Sequence, residues 1–234
     1  MGKSFDLNLV FDFLPKLLSY LHITLLILVG AVLIGLLVGF LAALPRIYNI
    51  PVLRTLSAIY VSFIRGTPIL IQLFLVYYGL PELLKTIQID VTHMSSLVFV
   101  IITYGFSIGA LFSEIIRAAV SAVDRGQTEA AYAIGMTPIA AFVRIVLPQA
   151  LTIAFPNFAN LVISYLKDTS LAFYIGVMDM TGRGQTLGTA TNHFLEVYIS
   201  LAIIYYAVCI LLEKCFSLLE TRMLRYERQF PVSQ

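Results

Sequence analysis

Charge is what this 234-residue sequence has least of. Asp, Glu, Lys and Arg make up 12% of it, about half the share found in an ordinary soluble domain. That scarcity excludes water as the solvent for most of the chain. The charges nearly cancel, 15 Lys and Arg against 13 Asp and Glu for a net +2, which argues against a nucleic-acid partner or an acidic substrate. Cysteine is nearly as scarce. Cys209 and Cys215 are too close on one helix to bridge each other, have no metal-ligand spacing, and read as packing residues. No G-x-x-x-x-G-K-[ST] loop is present to cradle ATP phosphates. Gly2, Lys3 and Ser4 imitate its tail with only Met1 before them. Gly182, Gly184 and Gly188 miss the dinucleotide spacing by one position and read as an outside turn. His22, His93 and His193 lie near the ends of apolar runs, outside any H-E-x-x-H or G-x-S-x-G pattern, and read as interface histidines. The chain is therefore expected not to hydrolyse ATP itself, and no removable signal peptide is expected.

What is abundant is apolar sequence: 59% of residues are hydrophobic and the mean hydropathy is +0.92. A bilayer core about 30 Å thick needs roughly 20 apolar helical residues. Five runs meet that need, at about 21–44, 55–80, 94–119, 151–177 and 195–212, and predict an all-α polytopic membrane protein. The second is interrupted at Arg65, Gly66, Thr67 and Pro68. Before the first lies a segment 1–19, and after the last a tail 217–234. The cation bias orients the spans. With the N-terminus outside, the inner segments hold Arg46, Arg54, Arg117, Arg125, Arg144, Lys214, Arg222, Arg225 and Arg228. The outer segments hold only Lys3, Lys16, Lys85 and Arg183. The bias predicts N-out and C-in. In the first span, Gly35 and Gly39 set a small-xxx-small pair that admits a second helix closely.

One long inner loop, about 120–150, separates the third and fourth spans. Residues 127–134 predict a short Ala-rich helix closed by Gly135. Thr137 then reads as an N-cap with Pro138 in the first helical position. A second short helix over 139–147 ends where Pro148 marks another bend. Glu129, Ala130 and Ala131, then three residues, Gly135, nine residues, then Ile145, Leu147 and Pro148 resemble, position for position, the E-A-A-x3-G-x9-I-x-L-P loop of ABC importer permeases. Phe63 to Pro68 with Gln72, Leu73 and Phe74 resemble the second-span signature of the polar amino acid uptake group. Glu114 to Ala119 and Lys167 to Leu171 resemble two further signatures of that group. The likeness covers about 15–220 and, within the group, is nearest to cystine permeases of Gram-positive bacteria.

The resemblance implies a type I ABC importer permease domain over about 20–216. It implies a coupling helix at the loop that docks in a groove of a separate ATPase subunit, which would bind ATP and Mg. It also implies an extracellular solute-binding protein, and pairing with a second permease copy, expected as a homodimer, or with a paralogue. Small Ala side chains suit close docking, Glu129 offers a charge, and Gly135 turns the chain.

Ionisable groups within spans cost a few kcal/mol or more and are functional or paired by default. Four stand out: Arg65, Glu114, Lys167 and Asp168. Arg65 lies 11 residues beyond Arg54, roughly 16 Å deep. Two readings stand for Arg65 and Glu114: both line a path, or they form an ion pair joining spans two and three. Lys167 and Asp168, with the hydroxyls of Thr169 and Ser170, fall roughly 24–26 Å across the bilayer. They either meet the ammonium and carboxylate of an amino acid zwitterion or mark the interface. Gln72, Asn157 and Asn160 are path candidates that equally suit helix–helix hydrogen bonds. Cystine is the first expected solute, with histidine, glutamine and arginine as competitors. A secondary transporter or channel is the other reading, although no inverted repeat is apparent.

Overall fold

The structure, a computed structural model, describes the backbone over residues 4–228 and side chains over residues 4–223. Gly2, Lys3 and the side chains of Arg225 and Arg228, used above for motif and orientation, lie outside the described residues.

Among the described residues the chain is helical throughout. It starts with α1 (Leu7–Leu18), a helix absent from the sequence reading. Asp6 caps it, its carboxylate accepting from the Asn8 N–H at 2.9 Å. Then come α2 (Leu21–Ile47), α3 (Pro51–Gly66) and α4 (Ile69–Lys85). They are followed by α5 (Ser96–Ala122), α6 (Arg125–Ala133) and α7 (Pro138–Ile175). The last two are α8 (Met180–Thr191) and α9 (Phe194–Arg228). Four of these, α2, α5, α7 and α9, are long and apolar enough to cross a membrane, and the bent pair α3 and α4 counts as a fifth if it is one broken span.

Three features differ from the expectation. The second run is no straight span: α3 and α4 meet at 113°, where Pro68 cannot continue the helix. The segment 139–147 is no separate short helix, because α7 runs unbroken from Pro138 into the fourth span. Pro148 lacks the N–H that would reach four residues back. The chain absorbs the loss as a π turn over Phe142–Val146 instead of a bend. The same device recurs in α4, where the π turn Leu75–Gly79 ends two residues before Pro81. Finally, the glycine-rich stretch read as a turn lies inside α8. Asp179 caps that helix, one carboxylate oxygen accepting from the Gly182 N–H at 2.8 Å.

Lipid tails are as apolar as leucine, so packing and close backbone approach hold these helices together. α2 and α5 form the central pair. A Cβ on Gly35 would sit 2.3 Å from Ile108 Cγ2, and one on Gly39 would sit 2.9 Å from the Gly109 carbonyl. On the facing helix a Cβ on Gly105 would sit 2.5 Å from Ile34 Cγ2 and one on Gly109 would sit 3.0 Å from Val38 Cβ. The small-xxx-small pair thus finds its partner within the chain. α1 lies on α9 through Val10, Phe13 and Leu17. Ser200 Oγ donates to the Val10 carbonyl at 2.9 Å, and the Asp6 N–H donates to Glu196 at 3.0 Å. Cys209 and Cys215 are both free.

Asp179, between the fourth and fifth spans, is fully buried, and its second carboxylate oxygen has no partner. Burial pushes its pKa up to about 6, against the backbone N–H groups that favour the anion. A raised carboxyl pKa favours the folded state at low pH and loses that advantage as pH rises from near 4 to above 6. Asp179→Asn keeps the capping oxygen and removes the buried charge. It is expected to be about 3 kcal/mol more stable than the wild type at pH 7.5, with the difference vanishing near pH 4. Thermal unfolding of both proteins in detergent at the two pH values checks this.

Candidate functional site

The elbow outside the bundle is built by two caps and a left-handed turn. Asp124 opens α6, accepting from the Gly126 N–H at 2.6 Å. Gly135 closes it at φ +84°. There the Gly135 N–H donates to the Tyr132 carbonyl at 2.9 Å and the Met136 N–H to the Ala131 carbonyl at 3.0 Å. This paired pattern satisfies carbonyls at the helix end and needs a residue free to adopt positive φ. Thr137 then caps α7, its hydroxyl accepting from the Ala140 N–H at 3.3 Å. Gln149 ties the two helices, its amide donating to the Gln127 side chain at 3.2 Å and to the Ile145 carbonyl at 3.0 Å.

Along this elbow Ala131 is buried, Ile145 and Leu147 are half-buried, and Glu129, Ala130, Gly135 and Pro148 are exposed. The exposed side also presents Ile134 at 79%, Ile139 at 78%, Tyr132 and Val143. Exposed apolar patches of this kind mark sites of interaction with another protein or a membrane surface.

The intramembrane charges form two separate groups. Glu114 on α5 is the centre of the first. One carboxylate oxygen pairs with Arg46, from the last turn of α2. The other lies 3.5 Å from Arg117 and 3.8 Å from Arg65. Three cations share one anion, so the cluster is formally +2. The expected pair of spans two and three exists, but Arg46 from the first span holds Glu114 most directly. Arg46 stands 68 residues away with no local signal linking the two. Arg65 is the loosest member, 62% exposed against 17% for Arg46.

The second group sits at the far end of α7. Lys167 is exposed, Asp168 and Ser170 are half-buried, and Thr169 is fully buried with its hydroxyl donating to the Leu166 carbonyl at 2.6 Å. Two tyrosines fix this end against α5. Tyr104 OH donates to the Asp168 carbonyl at 2.9 Å, and Tyr165 OH donates to Ser107 Oγ at 2.9 Å. Among the described residues no ion pair links Lys167 or Asp168 to the Glu114 cluster.

Between the groups runs a feature that was half visible in the sequence. Asn157, Asn160, Ser164 and Lys167 are all exposed. Their 3-4-3 spacing puts them on one face of α7. Gln72, by contrast, is 5% exposed, and its amide bonds backbone carbonyls at the α3–α4 break.

Comparison with known proteins was consistent in sequence and in fold. The L-cystine transport system permease protein TcyL of Bacillus subtilis (strain 168) is 56% identical over 223 residues, covering 95% of this chain and 93% of the relative. A probable amino-acid permease protein, YxeN, of the same organism is 39% identical, covering 94% of this chain and 97% of the relative. A solved amino acid ABC transporter, crystallised with histidines, superposes with a TM-score of 0.83 at 32% identity, over 94% of this chain and all of that one. Residues 31–225 match the family described as binding-protein-dependent transport system inner membrane component. With its elbow, its four to five candidate spans and that match, the chain belongs to this family of inner-membrane transport components.

Proposed function

We propose that this chain is the membrane-spanning subunit of an ATP-driven importer for a polar amino acid, with L-cystine as the first candidate. One observation carries the reading. The elbow at Gly135 is fixed by its own backbone hydrogen bonds and exposes Tyr132, Ile134, Ile139 and Val143 outside the bundle. That is the surface by which a separate ATPase, holding ATP and Mg, moves the attached helices. Glu129, Ala130 and Ala131 contribute from α6, and Ile145, Leu147 and Pro148 transmit the movement into α7.

The elbow faces the cytoplasm, so the N-terminus is outside and a solute-binding protein docks on the outer face. ATP-driven closure of two ATPase subunits brings two elbows together, turns the cavity outward to receive solute, and hydrolysis resets it. Five spans enclose too little space for a path, and a second copy of the chain completes it. The exposed face of α7 supports this arrangement. Asparagines and a lysine facing lipid are costly, so the stripe from Asn157 to Lys167 faces a water-filled cavity between copies. Asn160, Lys167, Asp168 and Ser170 form its outer part, and Arg65 and Glu114 lie on its inner side; Thr169, buried with its hydroxyl on the Leu166 carbonyl, does not line it.

A zwitterion needs an acceptor for its ammonium and a donor for its carboxylate, and Asp168 and Lys167 supply them. Asp168→Asn and Lys167→Met are each expected to raise the KM for labelled cystine uptake at least fivefold, with the complex still assembled. Unchanged KM and Vmax in both variants would remove these residues from the path. The same assay with unlabelled histidine, glutamine and arginine as competitors separates cystine from the alternatives. Better inhibition by one of these than by unlabelled cystine reassigns the solute.

A further inference from the structure

A helix that stops inside a membrane leaves its last carbonyls without donors, and no water is there to take them. α3 stops this way at Gly66, and α4 leaves at 113° from Ile69. Three carbonyls at the break, those of Phe63, Ile64 and Thr67, take side-chain donors. Thr67 Oγ1 donates to the Phe63 carbonyl at 2.8 Å. Gln72, one turn into α4, reaches back across the break, and its Nε2 donates to the Ile64 carbonyl at 3.0 Å and the Thr67 carbonyl at 2.8 Å. The amide has one orientation, because reversing it would set Oε1 against two carbonyl oxygens. One side chain from the second helix thus bonds both the last turn of the first and the linker after it, using both of its donor hydrogens.

The position of these bonds matters as much as their number. Ile64 and Thr67 bracket Arg65, the exposed cation that reaches Glu114 at 3.8 Å. Gln72 itself is shielded. Its Oε1 is buried without a partner, and the residue lines a cavity walled also by Phe63, Ile102, Thr103 and Phe106. Apolar walls and a single acceptor offer nothing to a carboxylate.

We infer that Gln72 is a positioning residue: it pins the angle of the broken span through the transport cycle and so aims Arg65, without touching the solute. The uptake part of this inference rests on the transport reading above; the geometric part does not.

The test uses the complete complex in lipid nanodiscs, with Cys209→Ser and Cys215→Ser and spin labels at Thr55→Cys on α3 and Leu83→Cys on α4. Labelled subunits are diluted into unlabelled ones, so that only distances within one chain are read. The wild type is expected to give one narrow distance, the same with and without ATP. Gln72→Met, nearly isosteric but without donors, is expected to at least double the width of that distribution. It is also expected to lower uptake Vmax at least tenfold while KM stays within twofold. An unchanged width in Gln72→Met overturns the inference, as does a tenfold rise in KM without broadening, which would make Gln72 a solute ligand. Should Gln72→Met fail to insert, the wild type alone decides. A distance that shifts between the nucleotide-free and ATP-bound complex shows that the break is not pinned. If uptake is absent even from the wild type, the transport reading fails while the distances still judge the pin.

Discussion

Gly135→Asp is expected to leave this protein folded and inserted while reducing co-purification of its ATPase at least tenfold and abolishing uptake. Gly135 holds φ +84°, a conformation that costs an L-residue roughly 1–2 kcal/mol, with aspartate among the more tolerant. A Cβ there meets no side chain or distant backbone within 4 Å, so the new side chain projects into open space on the exposed side of the elbow. It adds an anion to a surface formed by Ile134, Ile139 and Tyr132. A carboxylate desolvated without a partner readily costs more than the 1.4 kcal/mol that corresponds to tenfold. Gly135→Ala separates the two effects, since it carries the backbone strain without the charge. It should retain most of the bound ATPase. Normal ATPase recovery with Gly135→Asp would remove the elbow from the interface.

Glu114→Gln is the second large effect. It withdraws the one anion around which Arg46, Arg65 and Arg117 gather. Removing one partner from a buried charged group usually costs about 3–5 kcal/mol, because the remaining charges are left uncompensated. Glu114 and Arg46 are partly rather than fully shielded, so about 3 kcal/mol is the expected loss. It should appear as a lower unfolding midpoint in detergent and as uptake near background. The double variant Glu114→Gln with Arg46→Met should recover part of the stability, because the most buried of the three stranded cations has gone. A midpoint equal to the wild type in the single variant would show that the cluster contributes nothing to the fold. Failure of Arg46→Met to recover any stability would show that the two residues are not coupled.

What could be read from the sequence depended on whether its cause was local. The elbow was legible because each part of it is a short-range device. A glycine suits positive φ, a threonine caps a helix before a proline, and alanines leave room for a neighbour. The five apolar runs were legible because bilayer thickness sets their length. The break at Gly66 and Pro68 was visible too, but its angle was not. The angle depends on Gln72 folding back on carbonyls five and eight residues earlier. From sequence Pro148 predicts a bend, because proline ends most helices in water. Here the helix widens into a π turn and continues, keeping its backbone satisfied. Arg46 was counted only as an inner-edge cation, since nothing in its neighbourhood points to a carboxylate on another span. The stripe on α7 could have been found. Asn157 and Asn160 had been noticed singly, and adding Ser164 and Lys167 at helical spacing turns two ambiguous amides into a polar face. α1 escaped because a twelve-residue helix containing Pro15 carries little signal beside spans twice as long.

The central claim is that the nucleotide cycle of another protein drives solute through these helices by way of the elbow. Uptake of labelled L-cystine into vesicles tests it most directly. The vesicles hold this chain with its co-purified ATPase, are supplied with the solute-binding protein outside, and are loaded with either ATP and Mg or a non-hydrolysable analogue. The account predicts accumulation above the external concentration with ATP and none with the analogue. Equal accumulation under both conditions, or accumulation by this chain without the ATPase, would contradict it.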